Sequence, residues 1–430
     1  MPNKMGFVLK DVLSEVKPSK KEMDDINETL ANYIKKIKRN IQNRKINAQV
    51  FVGGSAAKAT LIKKDSYDID IFIRFDKKYK DEILSDLTEK ILKGTGARIT
   101  RIHGSRDYFK IQAMENLFFE VVPVKRIQSP REAENVTDFS YSHVNYIKKK
   151  IKSEKLLDEI RLAKAFCYAN GSYGAESYVQ GFSGYGLELL IYHYKTFIKF
   201  VKAIAKMKID DDKVVIDIEK HHKNKSRILM DLNEAKLKSP IILVDPTYRQ
   251  RNVLAALSEE TLRNFQAVCR NFLKNPRKEF FEKKVINIEK LKEDANNNGY
   301  EFVLLKIITD KQEGDIAGSK MLKFYRHLSS ETERFFEIKN RGFEYKGNKE
   351  ARAFFVGGKK EWILVTGPEV NDKKNVDKFR KRHKKVLIKN NRLYSKYIVT
   401  LSLKHFLHSW KEKYKDKIRG MSIKKFDISS

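Results

Sequence analysis

Between Gly53 and Phe75 the chain reads GGSAAKATLIKKDSYDIDIFIRF, with Asp68 and Asp70 one residue apart in a run that otherwise favours a β-strand. On a strand, residues i and i+2 point the same way about 6.6 Å apart, so both carboxylates project from one face. Two like charges so placed repel, and burial raises one pKa unless a cation sits between them. Hard divalent ions with oxygen ligands suit such a pair, Mg²⁺ foremost. A third acid, Glu120 in FFEVVP, shares a strand face with Phe118 and Val122. If that strand pairs beside the first, three carboxylates converge. Such a cluster can hold two metal ions about 3.5–4 Å apart that flank an in-line displacement at phosphorus, one activating a hydroxyl and the other neutralising departing pyrophosphate. Upstream, Gly53, Gly54 and Ser55 form a loop leading into AAKATL, where backbone N–H groups can bind a phosphate. Lys58 adds a positive charge one turn on. G-x-x-x-x-G-K-[ST] is absent, which excludes a P-loop enzyme. A lone acid-x-acid is commonly only a solvated strand edge; the Gly-Ser loop before it and the strand acid after it favour chemistry.

The elements that must position these groups follow from periodicity. Ser19 and Glu22 have capping-box spacing ahead of a helix over 19–41, with Met23, Ile26, Leu30, Tyr33, Ile34 and Ile37 on one face. AQVFVGGS reads as a short strand ending at glycines. YDIDIFIRF alternates strictly, with Tyr67, Ile69, Ile71, Ile73 and Phe75 against Asp68, Asp70, Phe72 and Arg74. A helix over 80–93 and two strands, DYFKIQAM and LFFEVVPV, follow as a hairpin; the second strand should end near Pro123 or leave that position unpaired. The head, residues 1–145, is thus a small mixed α/β domain. Residues 146–284 turn helical: VNYIKKKIKSEKLLDEIRLAKAFCYAN is one long or two short helices stopped by Gly171. FSGYGLELLIYHYKTFIKFVKAIAKM reads as another helix, and VDPTYRQRNVLAALSEETLRNFQAVCRNFLK as an ordered loop and a helix. Within 285–430 we expect a strand at GYEFVLLKII, a helix over 318–339, and strands near 343–346, 351–356 and 361–366, with GGKK turning between the last two. This βαβββ order suggests a small α/β body with a sheet on one face, and the end from Asn371 reads as a mostly helical, basic tail.

Composition bounds the function. The chain has 430 residues, 41% hydrophobic and 11% aromatic, enough for two to four packed domains. Lys and Arg total 89 against 56 acids, a formal charge of +33. That excess favours a polyanionic partner, nucleic acid first; adaptation of a whole proteome to salt or temperature is the other reading of charge alone. No apolar run is long enough for a membrane span, and the N-terminus lacks a signal-peptide segment, so a cytoplasmic location is expected. Cys167 and Cys269 cannot build a structural zinc site and are expected as free buried thiols. GFSGYG is not a nucleophile elbow, because Tyr185 takes the last glycine's place. IDDDK at 209–213 and KHHKNK at 220–225 read as solvated loop charges, and Trp362 and Trp410 as packing residues.

The order GGS…DID…FFEVVP resembles the nucleotidyltransferase superfamily that includes DNA polymerase β, poly(A) polymerases and CCA-adding enzymes. More narrowly, ENVTDFSYSHVNYI, RLAKAFCYANGSYGAESYVQGFSGYGLELLIYHYKTF and ILVDPTYRQRNVLAALS resemble the archaeal, class I CCA-adding enzymes, and GPEVNDKKNVDKFRKRHK is similar to that family's C-terminal region. The likeness runs from about residue 50 to 390. It implies an α+β multidomain fold: a polymerase β-like nucleotidyltransferase head, a helical central domain, a C-terminal α/β body of ferredoxin/RRM-like type and a helical tail. It assigns Asp68, Asp70 and Glu120 to the metal-binding carboxylates; the family often has Glu first and Asp third, the reverse of this chain. Gly54, Ser55 and Lys58 fall on the triphosphate loop, with Lys58 where Arg is common. Ser140 and His143 match a Thr and a His that touch the incoming nucleotide, Lys164 and Tyr173 a Lys and a Tyr that hold the triphosphate. Arg251 matches the arginine that, with RNA backbone, reads the edge of C or A; of Arg251 and the neighbouring Arg249, one reads as a plain surface charge. His103 corresponds to a head-domain histidine in a loop of different length.

The function this resemblance implies is template-independent addition of C, C and A to the 3′ end of tRNA from CTP and ATP, with two Mg²⁺ and release of pyrophosphate. The basic run KFRKRHKKVLIKNNRLYSK would track the acceptor stem and the arm stacked on it, since duplex RNA is bound largely by shape and phosphate contacts. The resembled family tends to form homodimers. Two rivals remain at this point: a poly(A) or other terminal RNA nucleotidyltransferase, and a non-catalytic tRNA- or rRNA-binding protein on the same scaffold. The intact trio Asp68, Asp70 and Glu120 counts against the second.

Overall fold

The computed structural model describes residues 2–104, 106–209, 213–283, 286–383 and 385–429, and its chain divides into two units, Met1–Lys284 and Val285–Ser430. The first unit opens with helices α1 (Pro2–Val16) and α2 (Lys20–Asn43). The capping box forms at α2: Ser19 Oγ accepts from Glu22 N–H, and the Glu22 carboxylate accepts from Ser19 N–H. Then come β1 (Ala48–Val52), the single turn α3 (Gly54–Ala57), β2 (Tyr67–Phe75), α4 (Asp81–Lys93), β3 (Ile99–Ile102), β4 (Tyr108–Met114) and β5 (Leu117–Lys125). The strands make one sheet in the order β1-β2-β5-β4-β3. Only β2 and β5 run parallel. The alternation in β2 is realised as read: Ile69, Ile71, Ile73 and Phe75 are fully buried in one core with Ile37 of α2 and Leu84 and Ile91 of α4. That burial fixes the register and presents Asp68 and Asp70 on the opposite face.

Pro123 meets the second alternative expected of it. Strand β5 runs two residues past Pro123, which lies opposite Ile73 of β2. The Pro123 carbonyl accepts from Arg106 Nη1 at 3.3 Å, on the side where the β4 ladder has already stopped at Val121. The missing N–H faces that same side, so no ladder bond is lost.

The rest of this unit comprises α5 (Ser140–Lys150), α6 (Glu154–Ala169), α7 (Gly184–Tyr194), α8 (Phe197–Lys206), β6 (Val214–Ile216), α9 (Lys225–Asp231), α10 (Glu234–Leu237), β7 (Ile241–Asp245), β8 (Tyr248–Asn252) and α11 (Glu259–Lys274). Its core is strongly aromatic, with Phe166, Phe197, Phe265 and Phe272 fully or almost fully buried. Cys167 and Cys269 are free and buried, as the sequence suggests. The segment read as one helix after GFSGYG is two, α7 and α8. Lys195 takes a left-handed φ of 71°, and Thr196 caps the new helix by accepting from Lys199 N–H at 3.2 Å. VDPTYRQRN is likewise no loop: it forms the β7-β8 hairpin of a three-stranded sheet, β6-β7-β8. The acids of IDDDK at 210–212 lie outside the described residues. Helix α1 packs on α6 with Val12 buried in the helical core, and Lys17 reaches Glu154 at 2.7 Å and Asp158 at 3.1 Å. The head assigned to 1–145 thus begins, in packing terms, at α2; the apolar spacing Val8, Leu9, Val12, Leu13, Val16 is what places α1 elsewhere.

The second unit contains α12 (Ile288–Asn297), β9 (Glu301–Thr309), α13 (Asp315–Glu333), β10 (Phe336–Tyr345), β11 (Glu350–Lys359), β12 (Trp362–Glu369), α14 (Lys373–Arg382), β13 (Val386–Lys389), β14 (Arg392–Ile398), α15 (Leu403–Lys413), α16 (Lys415–Gly420) and β15 (Ile423–Ser429). Its main sheet is antiparallel in the order β10-β11-β9-β15. Helices α13 and α15 share one core with it through Phe324, Leu328, Leu407 and Trp410. Helix α12 covers the other face through Ala295 against Phe302 and Phe354. Four expectations are corrected here. The sheet is covered on both faces, not one. Helix α13 stops at Glu333, so the six residues to 339 that were read as helix belong mostly to β10. GGKK is not a hairpin turn: Gly357 and Gly358 stay in β11 opposite Ile338 and Glu337, and β12 leaves to pair with β14 in a second sheet. The end is not a helical tail either. It supplies β13 and β14, and β15 returns beside β9 with Phe426 opposite Ile307; a register shift between Ile423 and Lys425 lets Ile423 and Phe426, three residues apart, both be buried.

Candidate active site

In the parallel β2–β5 ladder the Cα of Asp70 lies opposite that of Glu120, with Asp68 two residues earlier on the same face. The third carboxylate therefore stands beside the second, as strand pairing was expected to arrange. Lys110 of β4 is opposite Glu120, and its Nζ is 3.5 Å from Asp68 Oδ1. Burial, reinforced by Asp68 and opposed by Lys58, raises the Asp70 pKa. Burial and then the charges of Asp70 and Asp68 push Glu120 up to about 7. The protein thus leaves negative charge on this face undercompensated. Among the described residues no three acid, His or Cys side chains converge into a ready-made metal shell. Asp68, Asp70 and Glu120 offer only carboxylate oxygens, the donor type Mg²⁺ takes, with substrate phosphates able to complete its coordination.

The Gly-Gly-Ser turn is bolted to that strand. Gly53 N–H donates to the Asp70 carbonyl at 2.8 Å. Gly54 has φ +56°, and a Cβ there would sit 1.7 Å from Asp70 Oδ2, so both conformation and space require glycine. Ser55, Lys64, Asp68, Lys164 and Tyr173 line one small cavity beside the turn; the structure brings together the loop, one carboxylate and two of the residues picked from the helical middle.

Glu188 of α7, which sequence reading passed over, organises the lysines. It is wholly buried and takes Lys58 Nζ on Oε2 at 2.6 Å and Lys164 Nζ on Oε1 at 2.8 Å. Thr60 Oγ1 donates to Oε1 at 2.8 Å, while Lys164 also donates to Thr60 Oγ1 at 2.7 Å and to the Thr60 carbonyl at 3.3 Å. Burial opposes the Glu188 charge, but Lys164 and Lys58 overcome it and hold the carboxyl at about 2. Tyr173 is placed by a crossing of backbone: Gly174 N–H donates to the Phe182 carbonyl and Phe182 N–H to the Ser172 carbonyl, each at 2.8 Å. A Cβ on Gly184 would stand 2.9 Å from the Tyr173 hydroxyl. Lys64, also unforeseen, lies 5.8 Å from the Tyr173 ring centre.

A second buried acid, Asp245 at the end of β7, gathers the remaining group. Its Oδ2 accepts from Arg251 Nη1 at 2.7 Å and His143 Nε2 at 2.9 Å; its Oδ1 accepts from Thr247 N–H and Oγ1 at 2.8 Å and from the Tyr185 hydroxyl at 3.3 Å. Burial works against this charge too, but His143, Arg251 and Thr247 N–H hold it well below the usual carboxylate range. Burial lowers the His143 pKa despite the Asp245 partner. His143 stacks on Tyr185 at 4.0 Å between ring centres, and Lys58 lies 5.9 Å from the same Tyr185 ring, next to the Glu188 cluster. Ser140 is the first residue of α5, one turn before His143. Arg251 joins this network, while Arg249 is exposed.

Three expectations fare differently. His103 is 64% exposed and pairs with Asp107 at 3.0 Å, in a surface cluster with Arg101 and Glu89. In KHHKNK, Lys220, His221 and Lys223 are exposed as read, His221 also bonding the Pro246 carbonyl at 3.0 Å, but the His222 side chain is buried between Asp217 at 3.1 Å and Asp231 at 3.4 Å. Trp410 is buried as read, but Trp362 is 47% exposed, with Lys396 Nζ 4.5 Å from its ring centre.

A mixed sheet with paired acids beside a glycine turn, faced by a helical segment bearing lysines, an arginine and a tyrosine, is an arrangement suited to nucleotidyl transfer. Solved structures share this fold. The Cid1 poly(U) polymerase matches with a TM-score of 0.51 at 13% identity, over 65% of this chain and 99% of that one. A cytoplasmic RNA terminal U-transferase matches with a TM-score of 0.50 at 14% identity, over 66% and 100%. The second domain of tRNA nucleotidyltransferase matches as a family model over residues 158–282. The CCA-adding enzyme of Methanocaldococcus jannaschii is 30% identical over 436 residues, 97% of this chain and 93% of that protein. That of Nanoarchaeum equitans is 40% identical over 267 residues, 60% of this chain and 66% of that protein. The chain belongs to the family of archaeal CCA-adding enzymes.

Proposed function

We propose that the protein completes tRNA 3′ ends by adding C, C and A without a template, consuming CTP and ATP. The observation that carries the reading is identity with a CCA-adding enzyme along nearly the whole chain, together with Asp70 and Glu120 held in register on one sheet face. The RNA 3′-hydroxyl attacks the α-phosphorus of the bound nucleotide, a new O–P bond forms, and pyrophosphate leaves. Asp68, Asp70 and Glu120 would hold two Mg²⁺, which when bound supply charge neutralisation at the reacting phosphates. Gly54 and Ser55 bring backbone donors to the triphosphate. Lys58, Lys164 and Tyr173 stand at its charged end, and Arg251 with Ser140 and His143 meets sugar and base. An arginine donates to the ring nitrogens of both C and A, so one pocket serves both bases, with RNA completing the readout.

The second unit we read as a ferredoxin-like body, supported by its βαββ…αβ element order and antiparallel 4-1-3-2 strand order. Its basic segment over 378–396 carries Lys378, Arg380, Lys381 and Arg382 on or beside α14 and Lys389, Arg392 and Lys396 on the second sheet, a surface suited to phosphate contacts with the acceptor stem and the arm stacked on it. No described helix is long and apolar enough to cross a membrane, and the work is assigned to the cytoplasm, with a homodimer as the family's habit. The test offers tRNA lacking its terminal nucleotides with CTP and ATP singly and together. Growth by three nucleotides that then halts supports the proposal. An unlimited A tail points to a poly(A)-type enzyme, and no incorporation despite tight tRNA binding removes the enzymatic reading.

A further inference from the structure

Asp245 is the most heavily bonded acid near the nucleotide-facing residues. It is fully buried, and five hydrogen bonds converge on its two oxygens from α5, α7, β8 and the turn between β7 and β8. A carboxylate has about four lone-pair sites, so it has no capacity left for a ligand. It is therefore not a group that touches substrate. His143 and Arg251 come from elements far apart in sequence, and both contact the same oxygen, Oδ2. Their own separation, 3.5 Å from Arg251 Nη1 to His143 Nε2, places two donors side by side. Only a shared anion makes that arrangement favourable.

We propose that Asp245 is the positioning residue for base selection: it clamps His143 and Arg251 into one rigid unit and fixes the His143 tautomer with hydrogen on Nε2. The consequence is chemical. With Nε2–H committed to Asp245, the remaining ring nitrogen, Nδ1, carries a lone pair and acts as an acceptor, while Arg251 offers its other N–H groups as donors. Cytosine and adenine each pair an exocyclic amino donor with an adjacent ring-nitrogen acceptor, whereas uracil and guanine present a carbonyl beside a ring N–H. A rigid donor–acceptor set selects the first pattern against the second. The Tyr185 ring stacked on His143 at 4.0 Å and the Thr247 bonds keep the clamp from rotating. This inference rests on the proposed CTP and ATP use, and Asp245 lies outside the set of residues that the sequence assigned to the nucleotide.

The test combines two readouts. Single-turnover addition to shortened tRNA compares CTP with UTP, and ATP with GTP, for the wild type, Asp245→Asn, Arg251→Ala and the double variant. Each single variant is expected to lose at least tenfold of the C-over-U and A-over-G preference, and the double more than Arg251→Ala alone but less than the product of the two single losses, since Asp245 acts through Arg251 and His143 together. Preference unchanged in Asp245→Asn, or losses that multiply in the double, overturns the proposal. The second readout needs no activity: ring ¹⁵N shifts of His143 in the full-length wild type at neutral pH are expected to show the Nε2–H form, with Nδ1 bare. The Nδ1–H form overturns the clamp even if selectivity is intact, and stays decisive if Asp245→Asn does not fold. Failure of all nucleotide addition by the wild type counts against the proposed function, and the ¹⁵N result still decides the role of Asp245.

Discussion

Replacing Glu188 by Gln removes one charge from a site buried away from solvent. Lys58 and Lys164 have side chains 8% and 2% exposed, and Glu188 none; the amide keeps the shape but leaves two buried ammonium groups without a counter-charge. Breaking a buried ion pair in this way costs about 3–5 kcal/mol. The depressed pKa gives an independent figure. A fall from 4.5 to about 2 corresponds to about 3–4 kcal/mol at neutral pH. The sign follows from the direction: a carboxyl whose folded pKa is depressed stabilises the fold fully above pH 4.5, and loses that contribution as pH falls from 4.5 towards 2. For a unit of this size about 3 kcal/mol corresponds to a melting shift on the order of 10 °C. Calorimetry of the wild type and Glu188→Gln at pH 7 and pH 3 is the assay. We expect a drop on the order of 10 °C at pH 7 and a gap about halved near pH 3. In addition assays KM should rise for CTP and ATP alike, because both lysines stand at the triphosphate end. A shift below about 2 °C at pH 7, or a gap independent of pH, would refute the idea that Glu188 holds the lysines electrostatically.

Three further outcomes are expected. Asp70→Asn should abolish nucleotide addition while leaving tRNA affinity, measured by filter binding, within about twofold; a near-normal rate removes Asp70 from the chemistry. Gly54→Ala must both adopt φ +56° and move Asp70 Oδ2, which a Cβ would approach to 1.7 Å, so the single-turnover rate should fall by about 100-fold or more with only about 1–2 kcal/mol of lost stability; unaltered addition contradicts the packing. Chelation of divalent ions should stop addition and Mg²⁺ restore it. Since Glu120 sits at about 7 without a cation, Mg²⁺ should also raise the melting temperature more at pH 8 than at pH 6, and an equal rise at both would argue against a site built from these acids.

Much of the fold was legible because local patterns and tertiary packing agreed. The β2 strand shows strict alternation, and Ile69, Ile71 and Ile73 are all fully buried; the Ser19–Glu22 box starts a helix where its spacing says. The misreadings share a different cause. The turn read into GGKK depended on glycine propensity, yet Gly357 stays in the ladder because a Cβ would meet the Glu337 carbonyl at 2.5 Å; here glycine serves close strand approach. The break between α7 and α8 rests on one left-handed lysine and one threonine cap, too small a signal within a continuous apolar run. The return of β15 to the sheet beside β9 is a pairing across more than a hundred residues, which no local window contains.

For the site, the division falls between groups that face the substrate and groups that hold them. Asp68, Asp70 and Glu120 are visible because strand period and pairing place them together. His143, Lys164, Tyr173 and Arg251 are individually ordinary, and only family resemblance marked them. Glu188 and Asp245 escaped both routes, although each left a physical trace: an acid inside YGLELLIY and another closing IILVD, both in stretches apolar enough to be buried. A charge in such a place is costly unless it is paired, so its presence implies cations converging from elsewhere in the fold. Glu188 has Lys58 and Lys164, and Asp245 has Arg251 with the His143 donor. Each buried acid thus pre-assembles basic side chains that must later meet a polyanion. Without Glu188, Lys58 and Lys164 would repel one another, and without Asp245, Arg251 would lose its counter-charge, so the acids lower the cost of assembling the site before the nucleotide arrives.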